Sequence, residues 1–206
     1  MLERALSVAV EAALEAGRML REEFHRGPRG SGGTAPIDTE AEGCIRARLE
    51  AAFPSFGYRG EETGVRPGDD PARWWVVDPN DGTAAYLRGH RGASVSIALL
   101  QDGQPVLGVV YSPCFPDDRG DLVAGGPELG LTRNEVSLPA RALPRELDRR
   151  SVVIVSQSAD KKPGLNLRCS APARYRCLPS IAYRLALVAA GEGEACVSLQ
   201  HPRAVD

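Results

Sequence analysis

Apolar side chains recur at two different spacings along this chain, and the change of spacing predicts where helices give way to strands. Near the N-terminus Leu6, Val10, Ala13, Gly17, Leu20 and Phe24 return at helical intervals, with Glu3, Glu11 and Glu15 between them. This predicts an amphipathic packing helix rather than a secretory leader, whose apolar region carries no acids. A second helix is predicted from Ala41, Ile45, Leu49 and Phe53, four residues apart. Thr39 with Glu42 matches a capping box at its start, which leaves Asp38 just outside the helix end. The Gly-rich residues 27–33 between the two helices read as a flexible hinge, since they lack the Lys-Ser/Thr of a phosphate-binding P-loop.

Beyond the second helix the spacing shortens. Residues 56–59 read as a strand edge or loop, and the bulky run Trp74-Trp75-Val76-Val77 as a buried strand ending at Asp78, where Pro79 closes it. Residues 93–100 and 105–111 form two strand-like runs joined by Asp102-Gly103, a hairpin signal that predicts an antiparallel sheet. Residues 113–147 are polar, contain Pro and Gly, and show weak periodicity, so the connection between two lobes is expected there. A buried strand follows at 151–156. Ser180 as N-cap and Gly191 as C′ residue bracket an amphipathic helix, and 195–199 reads as a further strand. This strand, helix, strand alternation suggests an α/β lobe, with the lobes drawn at 1–137 and 138–206.

The chemistry concentrates where the first lobe's strand ends. In Asp78-Pro79-Asn80-Asp81-Gly82-Thr83 two carboxylates lie three positions apart and lead into Gly-Thr. Gly82 permits a tight turn with its N–H open to an anion, and Thr83 begins a helical turn whose unpaired N–H groups favour phosphate. Taken alone, the stretch is equally an ordinary polar turn. Two more acidic sites lie upstream, at Gly60-Glu61-Glu62 and at Asp38, and each alone would pass as a surface pair or a helix-capping acid. Their combination carries the argument.

Composition narrows the ligand. The 206 residues suffice for a sizeable core, and no apolar run approaches a membrane span. A net charge of −2 argues against a nucleic-acid polymer as partner. It is compatible with a small phosphate ester, provided cations offset the acidic cluster. Carboxylates plus a carbonyl suit Mg²⁺ or Mn²⁺ better than zinc or copper. Cys44, Cys114, Cys169, Cys177 and Cys196 are odd in number and lack Cys-x-x-Cys spacing, so they are expected as reduced thiols in a cytoplasmic protein.

Asp38 with Ala41-Glu42, then Gly60-Glu61-Glu62, then Trp75-Val76-Val77-Asp78-Pro79-Asn80-Asp81-Gly82-Thr83 resemble, in this order, the inositol monophosphatase superfamily of magnesium-dependent, lithium-sensitive phosphatases. The resemblance extends through Ala93-Ser94-Val95-Ser96-Ile97-Ala98-Leu99 and through residues 180–191. It implies a layered α-β-α-β-α sandwich of mixed α+β and α/β character, with the site between the two sheet-bearing halves. It also implies Glu61, Asp78, Asp81 and the Asn80 carbonyl as ligands of two or three Mg²⁺ ions, with Asp78 as bridge. Asp38 and Thr83 would orient the attacking water, Gly82 and Thr83 N–H groups would hold phosphate, and a homodimer is possible. The last metal ligand of the pattern falls on Asp206, with Val205 where the family has Trp. Because the sequence stops there, a longer parent protein with a fuller second sheet is expected, or else impaired activity.

Substrate choice is less determined. Ala84-Ala85-Tyr86-Leu87-Arg88-Gly89 departs from the Asn-Phe continuation of inositol monophosphatases and is similar to the Phe-Leu-Arg-Gly of 3′(2′),5′-bisphosphate nucleotidases, without their Lys-Gly. Ser198 falls near the place where inositol-selective enzymes carry an acid. The expected function is therefore Mg²⁺-dependent hydrolysis of a small, inositol monophosphate-like ester. The alternatives are a bisphosphate nucleotidase and, in another class, a non-catalytic module that binds metal or phosphate.

Overall fold

Small side chains decide how the first helix packs. In a computed structural model describing residues 1–27, 29–31, 34–142 and 144–198, α1 (Leu2–Arg26) buries Ala5, Ala9, Ala12, Ala13, Ala16, Gly17 and Leu20. Leu6, Val10 and Phe24 of the expected stripe are only partly buried. The helix lies so close to the sheet that a Cβ at Gly17 would overlap the Tyr111 ring. Close approach selects alanine and glycine over the larger residues that dominate a hydrophobicity pattern. Of the hinge at 27–33, Pro28, Gly32 and Gly33 lie outside the described residues.

The second helix starts earlier than the capping box implied. α2 spans Pro36–Ala52, with Ala35 at the N-cap, no side-chain cap, and Pro36 at the first helical position, where a missing N–H costs nothing. Asp38 is consequently inside the first turn, and Glu42 serves a different partner from the expected one.

The main sheet has eight strands in the order β2-β1-β3-β4-β5-β6-β7-β8. They are β1 (Phe56–Gly60), β2 (Gly64–Arg66), β3 (Asp70–Asp81), β4 (Ser94–Gln101), β5 (Gln104–Ser112), β6 (Asp121–Gly126), β7 (Gly130–Arg133) and β8 (Val136–Leu138). All neighbours are antiparallel except β1 and β3, which run parallel. The β4–β5 hairpin turns on Asp102 (φ 52°) and Gly103 (φ 76°), the left-handed pair expected of an Asp-Gly turn. β1 is an interior strand with Phe56, Gly57 and Tyr58 buried, not an edge or loop.

Residues 113–147 hold more than the expected connection, since β6, β7 and β8 there continue the sheet as a meander. Their apolar periodicity is weak because glycines occupy close-packed positions: a Cβ on Gly125 would strike the Gly130 carbonyl, and one on Gly126 the Val106 carbonyl.

The second sheet is small and parallel, in the order β10-β9-β11, with β9 at Val152–Ser156, β10 at Arg174–Leu178 and β11 at Ala195–Val197. Leu199, expected in the last strand, lies outside the described residues. α4 (Pro163–Ser170) connects β9 to β10, and α5 (Ile181–Ala189) connects β10 back past β9 to β11. Right-handed crossovers in opposite directions place these helices on opposite faces of the sheet. The layers are therefore α1 with α2, the large sheet, α5, the small sheet and α4, with α5 touching both sheets. Among the described residues no helix is long and apolar enough to cross a membrane. The five cysteines are unbridged.

Candidate active site

Two neighbouring strands deliver the acidic motifs to one end of the large sheet. β1 pairs in parallel with β3, Gly60 opposite Val77, and the Glu61 N–H continues the ladder to the Val77 carbonyl at 3.1 Å. Glu61 therefore emerges beside Asp78. Against β4, Asp78 pairs with Ser96 and Asp81 with Ser94, so three steps along β3 match two along its partner. The extra residue is a β-bulge, which bends the strand and re-aims its side chains. Pro79 was expected to end the strand. It sits inside this bulge instead, where pairing is interrupted and no N–H is required. Gly82 follows at φ 102°, a left-handed conformation that hands the chain to α3 (Thr83–Tyr86).

Asp38, Asn80 and Thr83 are brought into direct contact. Asn80 Nδ2 donates to Asp38 Oδ1 at 2.8 Å, and Thr83 Oγ1 lies 3.0 Å from Asp38 Oδ2 and 2.9 Å from the Asn80 carbonyl. The one hydroxyl proton of Thr83 thus faces two acceptors. Asp38 is only 1% exposed. Burial raises its proton affinity above that of an ordinary carboxylate; the charge of Glu61 adds to this, and the bonds from Asn80 and Thr83 oppose it. Asn80 Oδ1 is buried without a hydrogen-bond partner among the described residues.

The other acidic residues have their own contacts. Asp78 is buried and accepts the Asn80 N–H at 2.9 Å. Asp81 Oδ2 accepts Ser180 Oγ at 2.6 Å and the Ala182 N–H at 2.8 Å, both from the start of α5. Among the described residues, no group of three or more His, Cys, Asp or Glu side chains converges as a metal-holding cluster. Asp206 lies outside the described residues. What Glu61, Asp78, Asp81 and the Asn80 carbonyl offer is a set of hard oxygen donors, and its chemistry fits Mg²⁺ or Mn²⁺. The Asn80 carbonyl keeps a second lone pair beside the one facing Thr83.

Two supporting side chains were not anticipated. Glu42, fully buried, accepts the N–H groups of Glu62 and Thr63 at 2.8 Å each and also bonds the Thr63 hydroxyl. The turn that carries Glu61 is wrapped around this carboxylate so closely that a Cβ on Gly60 would collide with it. The available signal was Glu42 one helical turn after Asp38, together with Gly60 ahead of the acidic pair. Asn80 is the second, because its side chain, and not only its carbonyl, engages Asp38.

The sequence profile of the inositol monophosphatase family matches residues 1–205. The chain belongs to this family. Inositol-1-monophosphatase of Mesorhizobium japonicum is 40% identical over 119 residues, covering 54% of this chain and 45% of that relative. Inositol monophosphatase 3 of Solanum lycopersicum is 32% identical over 169 residues, covering 74% of this chain and 62% of the relative. The matched stretches thus span from about half to three-fifths of those curated relatives. The crystal structure of extragenic suppressor protein suhB from Bartonella henselae superposes with a TM-score of 0.77 at 29% identity, covering 94% of this chain and 78% of that one. In this inositol monophosphatase family member, the bonded group of Asp38, Asn80 and Thr83 lies beside the junction of the large sheet with α5.

Proposed function

We propose that this inositol monophosphatase family member is a Mg²⁺-dependent phosphomonoesterase that hydrolyses a small, inositol monophosphate-like ester in the cytoplasm. The observation that carries the reading is the bonded group of Asp38, Asn80 and Thr83 at the bulged strand end, beside the acidic residues of β1 and β3. Glu61, Asp78, Asp81 and the Asn80 carbonyl would hold the metal, with Asp206 as the further ligand. When bound, the metal supplies Lewis-acid polarisation of the phosphoryl oxygens and lowers the pKa of coordinated water.

This chain's own residues then handle the proton and the orientation. Asn80 Nδ2 fixes one oxygen of Asp38 and leaves Oδ2 facing Thr83. As water attacks phosphorus, its proton passes to Thr83 Oγ1 while the Thr83 proton passes to Asp38 Oδ2. A buried carboxylate with raised proton affinity suits that step. The Gly82 and Thr83 N–H groups receive the phosphate oxygens.

Phosphate release from inositol 1-phosphate, a 3′,5′-bisphosphate nucleotide and simple sugar phosphates, with and without Mg²⁺, tests the reading in wild type and Asp81→Asn. The expected result is Mg²⁺-dependent release, fastest from inositol 1-phosphate and lost in the variant. Release fastest from the bisphosphate would reassign the substrate to the nucleotidase class. Absence of metal-dependent release, or undiminished release by Asp81→Asn, overturns the reading.

A further inference from the structure

Ser180 is where the small-sheet half of the molecule reaches the candidate metal ligands. Its hydroxyl is fully buried and has three neighbours: Asp81 Oδ2 at 2.6 Å, Ser94 Oγ at 2.8 Å and the Tyr183 N–H at 2.8 Å. Only one arrangement of protons satisfies all three. The Tyr183 amide can only donate, and the Asp81 carboxylate accepts, so Ser180 accepts from the amide and gives its single proton to Asp81. Ser94 must then donate to Ser180, and Ser94 stands opposite Asp81 across the β3–β4 ladder. Capping α5 explains the bond from Tyr183. It does not explain the short bond to Asp81 or the support from Ser94.

We propose that Ser180 is a positioning residue for Asp81, fixing the rotation of this carboxylate so that it meets a divalent cation. The inference rests on the phosphatase reading above. Ser180 and the Ala182 N–H both hold Oδ2, and two donors on one oxygen restrict the rotation of the planar carboxylate. Ligating carboxylates are commonly fixed by such outer hydrogen bonds, and losing one lowers metal affinity about 10- to 100-fold.

The test is calorimetric titration of the whole chain with Mn²⁺, alongside thermal melting, for wild type, Ser180→Ala, Ser180→Thr, Ser180→Gly and Asp81→Asn. Ser180→Ala is expected to weaken Mn²⁺ binding about 10- to 100-fold, and Ser180→Thr, which keeps the hydroxyl, to restore it. Ser180→Gly is expected to bind as weakly as Ser180→Ala while melting closer to wild type, because glycine caps helices far better than alanine. If Ser180→Ala or, should that variant not fold, Ser180→Gly binds Mn²⁺ like wild type while Asp81→Asn does not, Ser180 is a helix cap only and the inference is overturned. If Asp81→Asn also binds like wild type, Asp81 is no ligand, and the functional reading falls together with the inference.

Discussion

The large sheet and its helices α1 and α2 enclose a core that includes Trp75, Val77, Ile97, Leu99 and Val109, whereas the small sheet packs on Ile154, Leu178, Tyr183 and Leu187. The second region also leaves Leu165, Leu167, Leu185 and Val197 exposed. Every acidic motif residue within the described range leaves the large-sheet half, while the small-sheet half contributes Ser180, the Ala182 N–H and Tyr183 as supports. The division teaches that the candidate chemistry is built on the body with the larger core, and that the other body reaches it through hydrogen bonds from α5.

Three measurements would break or sharpen this contrast. The largest effect belongs to the site on the large sheet: Thr83→Ala is expected to lower kcat about 10²- to 10⁴-fold, the usual worth of a positioned proton-transfer group. Circular dichroism and melting should match wild type, and a loss below about tenfold would remove Thr83 from the proton path.

Next comes packing. Leu99→Ala should cost about 4 kcal/mol in urea unfolding, and Leu187→Ala nearer 2 kcal/mol, because a small core with exposed neighbours relaxes around the lost volume. Equal costs would show that the two cores are alike.

The third, with an effect below that of Leu99→Ala, concerns the link between the bodies. Asp121 on β6 accepts Arg133 through both oxygens at 2.8 Å and also the Tyr183 hydroxyl of α5. Burial alone would raise its pKa, but the bonds from Arg133 and Tyr183 hold it below the ordinary carboxylate value. Asp121→Ala leaves Arg133 and Tyr183 without that acceptor, an expected loss of about 3 kcal/mol. Hydrogen exchange should show the α5 amides losing more protection than those of β4, and equal loss in both would mean that the bodies open as one unit.

The β4–β5 hairpin was legible because alternation and an Asp-Gly turn are local signals, and α5 because Ser180 and Gly191 mark its ends in sequence. The pairing of Asp38 with Thr83 was legible through motif order, and their side chains lie 3.0 Å apart. Other features depend on distant partners. Glu42 fitted a capping box, but its bonds go to a turn about 20 residues away, which no local pattern encodes. The Thr39 pattern puts the start of α2 three residues after the helix begins at Pro36. β6 to β8 were missed because their glycines answer to backbone packing and leave no hydrophobic alternation. The stripe on α1 was legible in part: Ala13, Gly17 and Leu20 are buried and Leu6, Val10 and Phe24 pack at the margin of the core, while Ala5, Ala9, Ala12 and Ala16 escape it because alanine carries little weight in a hydrophobic pattern.

Asp38 and Glu42 stand one turn apart on α2, about 6 Å along the axis, the first bonded to Thr83 and the second gripping the turn that carries Glu61. Helix α2 thus acts as a ruler between two motifs far apart in sequence. Because both carboxylates ride on one continuous helix, the distance between the two grips is set by helical rise and not by the course of the chain between Glu61 and Thr83.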